Sequence, residues 1–167
     1  LPLFNRRSDM YIVSACLLGI CSRYDGGCFY DDRLVRLAAK GEVIPVCPEQ
    51  LGGCPTPRDP CEITNGDGGG VLDGKCRVMS IKGDDVTDKY IKGAEETLKL
   101  AKACGADIAI LKAGSPSCGF GRIYDGTFSR NSISGNGVTA ELLTRNGIKV
   151  YSEDRADEIL SAKTRPL

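Results

Sequence analysis

Four short apolar runs, Tyr11–Ala15, Val43–Val46, Ile108–Leu111 and Ile148–Tyr151, constrain the fold of this chain more than any other feature. They are too short for helices and rich in β-branched residues, so each reads as a buried strand. Helical patterns lie between and after them. Asp32 to Lys40 opens on an acid, carries apolar residues at helical spacing and stops at Gly41. Thr87 to Cys104 is the clearest helix, with Ile91, Ala94, Leu98 and Ala101 on one face before Gly105. Gly137 to Arg145 forms another, closed by Asn146 and Gly147, and Asp154 to Lys163 a last one. Strands alternating with helices predict an α/β fold: a three-layer, Rossmann-like, mainly parallel sheet flanked by helices.

The stretch from Cys61 to Asp85 breaks that rhythm. Asn65 to Gly70 is too glycine-rich for a helix or strand, and Val71 to Cys76 reads as a hairpin around Asp73-Gly74. A glycine-rich hairpin excursion over one end of the sheet is therefore expected. A phosphate loop is the sharper alternative, but no strand leads in and no Gly-Lys-Ser/Thr leads out into a helix.

A chain of 167 residues has the size of one domain. Residues 10–167 read as that domain and residues 1–9 as a leader ahead of a start at Met10. No run of about 18 apolar residues and no secretory pattern occurs, which predicts a cytoplasmic protein with no membrane partner. The 22 basic residues are interspersed with 22 acidic ones, leaving no footprint for nucleic acid. A small molecule is the expected partner.

Nine cysteines and no histidine restrict the chemistry further. A closed disulfide framework cannot use all of an odd count, and in a reducing compartment such cysteines read as metal ligands or reactive thiols. The absence of histidine removes Ser-His and Cys-His mechanisms, leaving thiol, carboxylate, Lys and hydroxyl groups. Cys16 follows the first strand, Cys47 the second, and Cys118 lies in the loop after the third. Ligands of open parallel sheets bind beyond the carboxyl ends of the strands, so these three thiols are expected at one site. Read singly, each is a small buried hydrophobe. Cys104 is expected in the core, Cys76 in the hairpin, and Cys28, Cys54 and Cys61 in loops, while Cys21 is a reserve ligand five residues from Cys16.

Tetrahedral thiolate sites hold zinc or iron–sulfur clusters, and three protein ligands leave a position open for substrate. At this point the residues carry a resemblance. Val13 to Gly19 with Arg23 to Gly26, Pro45 to Gly53 with Pro55 to Arg58, and Ser115 to Gly119 with Ile123 to Phe128 resemble the 2-thiouracil desulfurase family, in order and across nearly all of Met10 to Glu153. The resemblance implies a 4Fe-4S cluster on Cys16, Cys47 and Cys118, with one open iron. It also implies non-redox removal of sulfur from a thiolated nucleobase such as 2-thiouracil, giving the oxo base and hydrogen sulfide, with Glu49 and Ser115 as catalytic residues. Cys54 and Cys61 depart from the pattern, standing where aliphatic or small residues are expected.

Two readings of the residues stay open beside it. A zinc-thiolate structural or regulatory protein would use Cys16, Cys21, Cys47 and Cys118 as a closed set. A thiol enzyme would use Cys118 as nucleophile, activated by a helix N-terminus. Glu49 reads equally as a surface carboxylate, and Ser115 as a turn former before Pro116. Arg23, Asp25 and Arg58 are expected to pair with one another rather than shape a pocket.

Overall fold

The computed structural model describes residues 9–162, so all of the expected leader except Asp9, and Lys163 of the last helix, lie outside the described residues. The chain runs β1 (Tyr11–Ser14), a 3-10 turn (Ala15–Leu17), α1 (Asp32–Ala39), β2 (Val43–Val46), α2 (Pro48–Leu51), β3 (Cys61–Thr64), α3 (Gly68–Leu72), β4 (Arg77–Ser80) and α4 (Thr87–Cys104). It continues through β5 (Ile108–Leu111), β6 (Arg122–Tyr124), β7 (Ser132–Ser134), α5 (Val138–Arg145), β8 (Lys149–Ser152), a second 3-10 turn (Glu153–Arg155) and α6 (Ala156–Ala162). The four expected strands form one sheet in the order β2-β1-β5-β8, with every pairing parallel.

Alternation along these strands builds the two faces of a three-layer fold. Ile12, Ala109, Leu111 and Val150 pack with Ala101 of α4 and with Ala140 and Leu143 of α5. Tyr11, Val13 and Ile110 pack on the other face with Leu34 and Leu37 of α1 and with Ala156 and Ile159 of α6. The helix ends follow local chemistry. Asp31 caps α1 by accepting from the Arg33 N–H at 3.1 Å, and Gly105 closes α4 with φ +67°.

Three expectations need correction. Gly68–Leu72 is a short helix, capped by Asp67 accepting from the Gly70 N–H at 3.0 Å. Its glycines are there for contact: a Cβ on Gly68 would overlap the Gly137 carbonyl, and one on Gly70 would overlap the Cys76 sulfur. The hairpin-like pairing of the excursion is made instead by β3 and β4, antiparallel from Cys61↔Ser80 to Thr64↔Arg77, on either side of that helix. The inward face of α4 holds the expected Ala94 and Ala101, both buried, and Ile91 and Leu98, partly buried, and adds Tyr90, Gly93 and Thr97, whereas Cys104, expected in the core, is exposed.

This excursion has its own core of Ile63, Val71 and Val78 against Tyr90, Ala94 and Val138, and a further antiparallel pair, β6 with β7, lies beyond β5. The chain leaves β1 for β2 on one side and later adds β5 on the other. The strand order therefore reverses between β1 and β5, where a crevice opens at the carboxyl ends of the strands.

Candidate active site

A cavity of about 560 Å³ occupies that crevice, and Cys16, Cys47, Glu49, Ser115 and Cys118 all line it. Each cysteine is placed by the end of a strand. Cys16 sits in the 3-10 turn after β1, Cys47 is the N-cap residue of α2 directly after β2, and Cys118 lies in a turn beyond β5. Burial raises all three thiol pKa values, and the nearby acids and thiols add to it: Cys16 is pushed up to about 11 by burial, then by Cys47 and Glu49. Burial and then Glu49 raise Cys118, the opposite of the lowered pKa that an activated cysteine nucleophile needs, which counts against the thiol-nucleophile reading.

Glu49 lies in α2, which begins at Pro48. Its carboxylate meets the site. Oε2 receives Arg58 Nη2 at 2.6 Å and the Cys47 thiol at 3.6 Å, and Oε1 receives the Ser115 hydroxyl at 3.4 Å. The side chains of Arg58 and Glu49 are only 8% and 12% exposed, so Glu49 is a buried paired carboxylate and not a surface one.

Ser115 serves two ends of this arrangement. Its Oγ accepts from the N–H groups of Ser117 and Cys118, each at 3.1 Å, holding the turn that carries Cys118 while its hydroxyl faces Glu49. The turn-former reading describes it, and it also lines the cavity.

Arg58 pairs with Glu49 rather than with Arg23 or Asp25. It also donates to the Ser22 carbonyl at 3.2 Å, the same carbonyl that receives the Cys47 thiol. Arg23 and Asp25 do pair with each other, at 3.3 Å. Cys21 is exposed, does not line the cavity, and interacts with the exposed Cys28, which leaves the closed four-cysteine zinc set without its fourth ligand. Among the described residues no group of three or more Cys, Asp or Glu side chains is placed to hold a single metal ion.

Residues that the sequence reasoning passed over also line the cavity. Phe29 lies beneath Arg23, 4.3 Å from guanidinium carbon to ring centroid, and beneath the Lys112 ammonium at 4.9 Å. Glu62 and Phe128 lie on the same wall system. Cys61 lines the cavity too, whereas Cys54 is buried behind it. The phosphate loop has no place here, since the glycines of α3 do not line the cavity.

Comparison with known proteins matches residues 11–155 to the family model described as 2-thiouracil desulfurase. The chain belongs to the 2-thiouracil desulfurase family. YbbK, an uncharacterized protein of Bacillus subtilis (strain 168), is 46% identical over 151 residues, covering 90% of this chain and all of that protein. A solved structure, the 4Fe-4S-dependent thiouracil desulfidase TudS, superposes with a TM-score of 0.83 at 44% identity, covering 93% of this chain and 98% of that one. The α/β architecture is thus shared with that enzyme. No helix among the described residues is long and apolar enough to cross a membrane.

Proposed function

We propose that this chain is a 4Fe-4S-dependent desulfurase that converts a thiolated nucleobase such as 2-thiouracil, with water, to the oxo base and hydrogen sulfide. The observation that carries this reading is the convergence of Cys16, Cys47 and Cys118, each from beyond a different strand of the sheet, on one cavity that also holds the Glu49–Arg58 pair. The donor set fits a cluster better than a single ion. Its three proposed ligands are soft sulfur atoms that line one cavity, and among the described residues no group is placed to hold a single metal ion. Cys16, Cys47 and Cys118 are the proposed ligands.

A cluster bound by three thiolates supplies one iron without a protein ligand, a soft Lewis acid for a thiocarbonyl sulfur. The remaining work falls to the chain's own side chains. Water adding to the thiocarbonyl carbon must lose protons while the departing sulfur gains them, and without histidine a carboxyl group is the available carrier. Glu49 fills that role. Arg58 fixes Oε2 and offsets its charge, which leaves Oε1, beside the Ser115 hydroxyl, to exchange the proton. Lys112 and Asp25 are engaged elsewhere, with Glu153 at 2.5 Å and with Arg23.

The reading covers one domain over residues 10–167. A cytoplasmic setting accords with it, because unbridged thiols and an oxidant-sensitive cluster suit a reducing compartment. The test is anaerobic reconstitution followed by incubation with 2-thiouracil: uracil and sulfide should appear in equal amounts without an electron donor. A strict requirement for a reductant, or sulfide without uracil, contradicts the proposed reaction.

A further inference from the structure

Glu62 is a buried carboxylate that the reaction as described does not use. It sits in β3 opposite Met79, 8% exposed, with its side chain on the cavity wall. A buried carboxylate needs its charge met. Among the described residues no lysine or arginine pairs with it; instead its Oε2 accepts from the backbone N–H groups of Gly126, at 2.9 Å, and Phe128, at 3.0 Å.

Those two amides belong to a loop with an unusual backbone. Gly126, Phe128 and Arg130 have φ of +87°, +57° and +63°, the left-handed region that a phenylalanine or arginine rarely occupies unaided. Backbone N–H groups turned inward by such conformations form a concavity for an anion, and Glu62 supplies that anion from the neighbouring strand. The fit is close: a Cβ on Gly126 would lie 2.5 Å from the Ile63 carbonyl oxygen, so the loop is pressed directly on β3. The loop's own ties, Asp125 Oδ1 accepting from the Thr127 N–H at 3.0 Å and the Asp125 N–H donating to the Asn131 carbonyl at 3.1 Å, close its ends but leave its position on the cavity to Glu62. What the loop presents there is an aromatic ring, Phe128, beside Arg130, on the cavity that holds the three thiols and Glu49.

We infer that Glu62 is a positioning residue: by receiving the Gly126 and Phe128 amides it holds the 125–131 loop so that Phe128 packs on the flat heteroaromatic ring of the substrate. It thereby sets substrate affinity and choice rather than the bond-breaking step. This deepens the desulfuration reading and rests on it. Ring stacking on Phe128 is the energetic link, since offset aromatic contacts add to the simple burial of area.

The test uses the cluster-loaded protein with 2-thiouracil. Glu62→Ala and Phe128→Ala should each raise KM about tenfold or more while kcat changes much less, the signature of lost binding rather than lost chemistry. Glu62→Gln keeps a carbonyl acceptor and should recover most of the loss. The double variant Glu62→Ala/Phe128→Ala should be no worse than the worse single one, because both remove one interaction. A readout independent of substrate is amide hydrogen exchange at Gly126 and Phe128, which should be slow in the wild-type and Glu62→Gln proteins and fast in Glu62→Ala. A fall in kcat at unchanged KM in both Glu62 variants overturns the proposal in favour of a second proton carrier. Unchanged KM in Phe128→Ala, or unchanged exchange in Glu62→Ala, also overturns it. If Glu62→Ala fails to fold, Glu62→Gln and Phe128→Ala still decide: KM unchanged in Phe128→Ala refutes the role, and KM raised in Phe128→Ala but held near wild type in Glu62→Gln supports it. If the loaded wild-type protein releases no sulfide from 2-thiouracil, the desulfuration reading fails, while the exchange comparison still reports on the clamp.

Discussion

Arg58 Nη2 lies 2.6 Å from Glu49 Oε2, and both side chains are almost wholly removed from water. Removing one partner of such a pair strands the other's charge, which typically costs about 3–5 kcal/mol. Arg58→Gln should therefore lower the stability of the metal-free protein by roughly that order and reduce turnover in the loaded form. Urea unfolding of the single variants, and of Arg58→Gln with Glu49→Gln, checks this. The double variant should be more stable than the Arg58 variant alone.

In the proposed reaction Ser115 links cluster and chemistry, so its loss should show in both. Ser115→Ala removes the acceptor for the Ser117 and Cys118 amides as well as the hydroxyl facing Glu49. Iron content should fall modestly and turnover per intact cluster about tenfold, less than the roughly 10²- to 10⁴-fold expected for Glu49→Gln. Iron and sulfide measured on the same sample separate the two effects.

Gly93 tests how the site is carried by the fold. In an exposed helix Gly→Ala is worth up to about 1 kcal/mol of added stability. In α4, however, a Cβ on Gly93 would overlap the Pro48 carbonyl, and α2 begins there, between Cys47 and Glu49. Gly93→Ala should lower the melting temperature and also reduce iron uptake, by displacing α2. Cys104→Ala, at the exposed end of the same helix, should change neither.

The metal-free protein should lose stability in alkali. Burial raises the Cys16, Cys47 and Cys118 pKa values, with Cys16 reaching about 11, so the folded state favours the neutral thiols. Their contribution is complete below the ordinary thiol pKa, about 8.5 to 9, and disappears as the pH rises through the folded value. The urea midpoint should fall between about pH 9 and 11, and fall less steeply in Cys16→Ser.

The sequence exposes the sheet and the shared location of the three cysteines for one physical reason. Parallel strands buried on both faces must be continuous apolar runs, and loops at their carboxyl ends must gather at one crevice, so Cys16, Cys47 and Cys118 could be placed together without coordinates. What stayed hidden depends on contacts between distant segments. The glycines of α3 are needed by Gly137 and Cys76, which local composition does not reveal. The exposure of Cys104 follows from a buried α4 face made of Gly93, Thr97 and other residues of low apolar contrast. The partner of Arg58 depends on how the Pro-rich turn after α2 folds back onto Glu49, and Glu62 on a left-handed loop more than sixty residues away.

The central claim is tested most directly by assaying iron, acid-labile sulfide and uracil formation together in anaerobically reconstituted wild type, Cys16→Ser, Cys47→Ser, Cys118→Ser and Cys21→Ser. The account predicts about four iron and four sulfide per wild-type chain, with turnover of 2-thiouracil. Each of the three cavity variants should lose iron and all sulfide release, while Cys21→Ser matches wild type. Full iron content and turnover in any one of the three, or loss of both in Cys21→Ser, contradicts it.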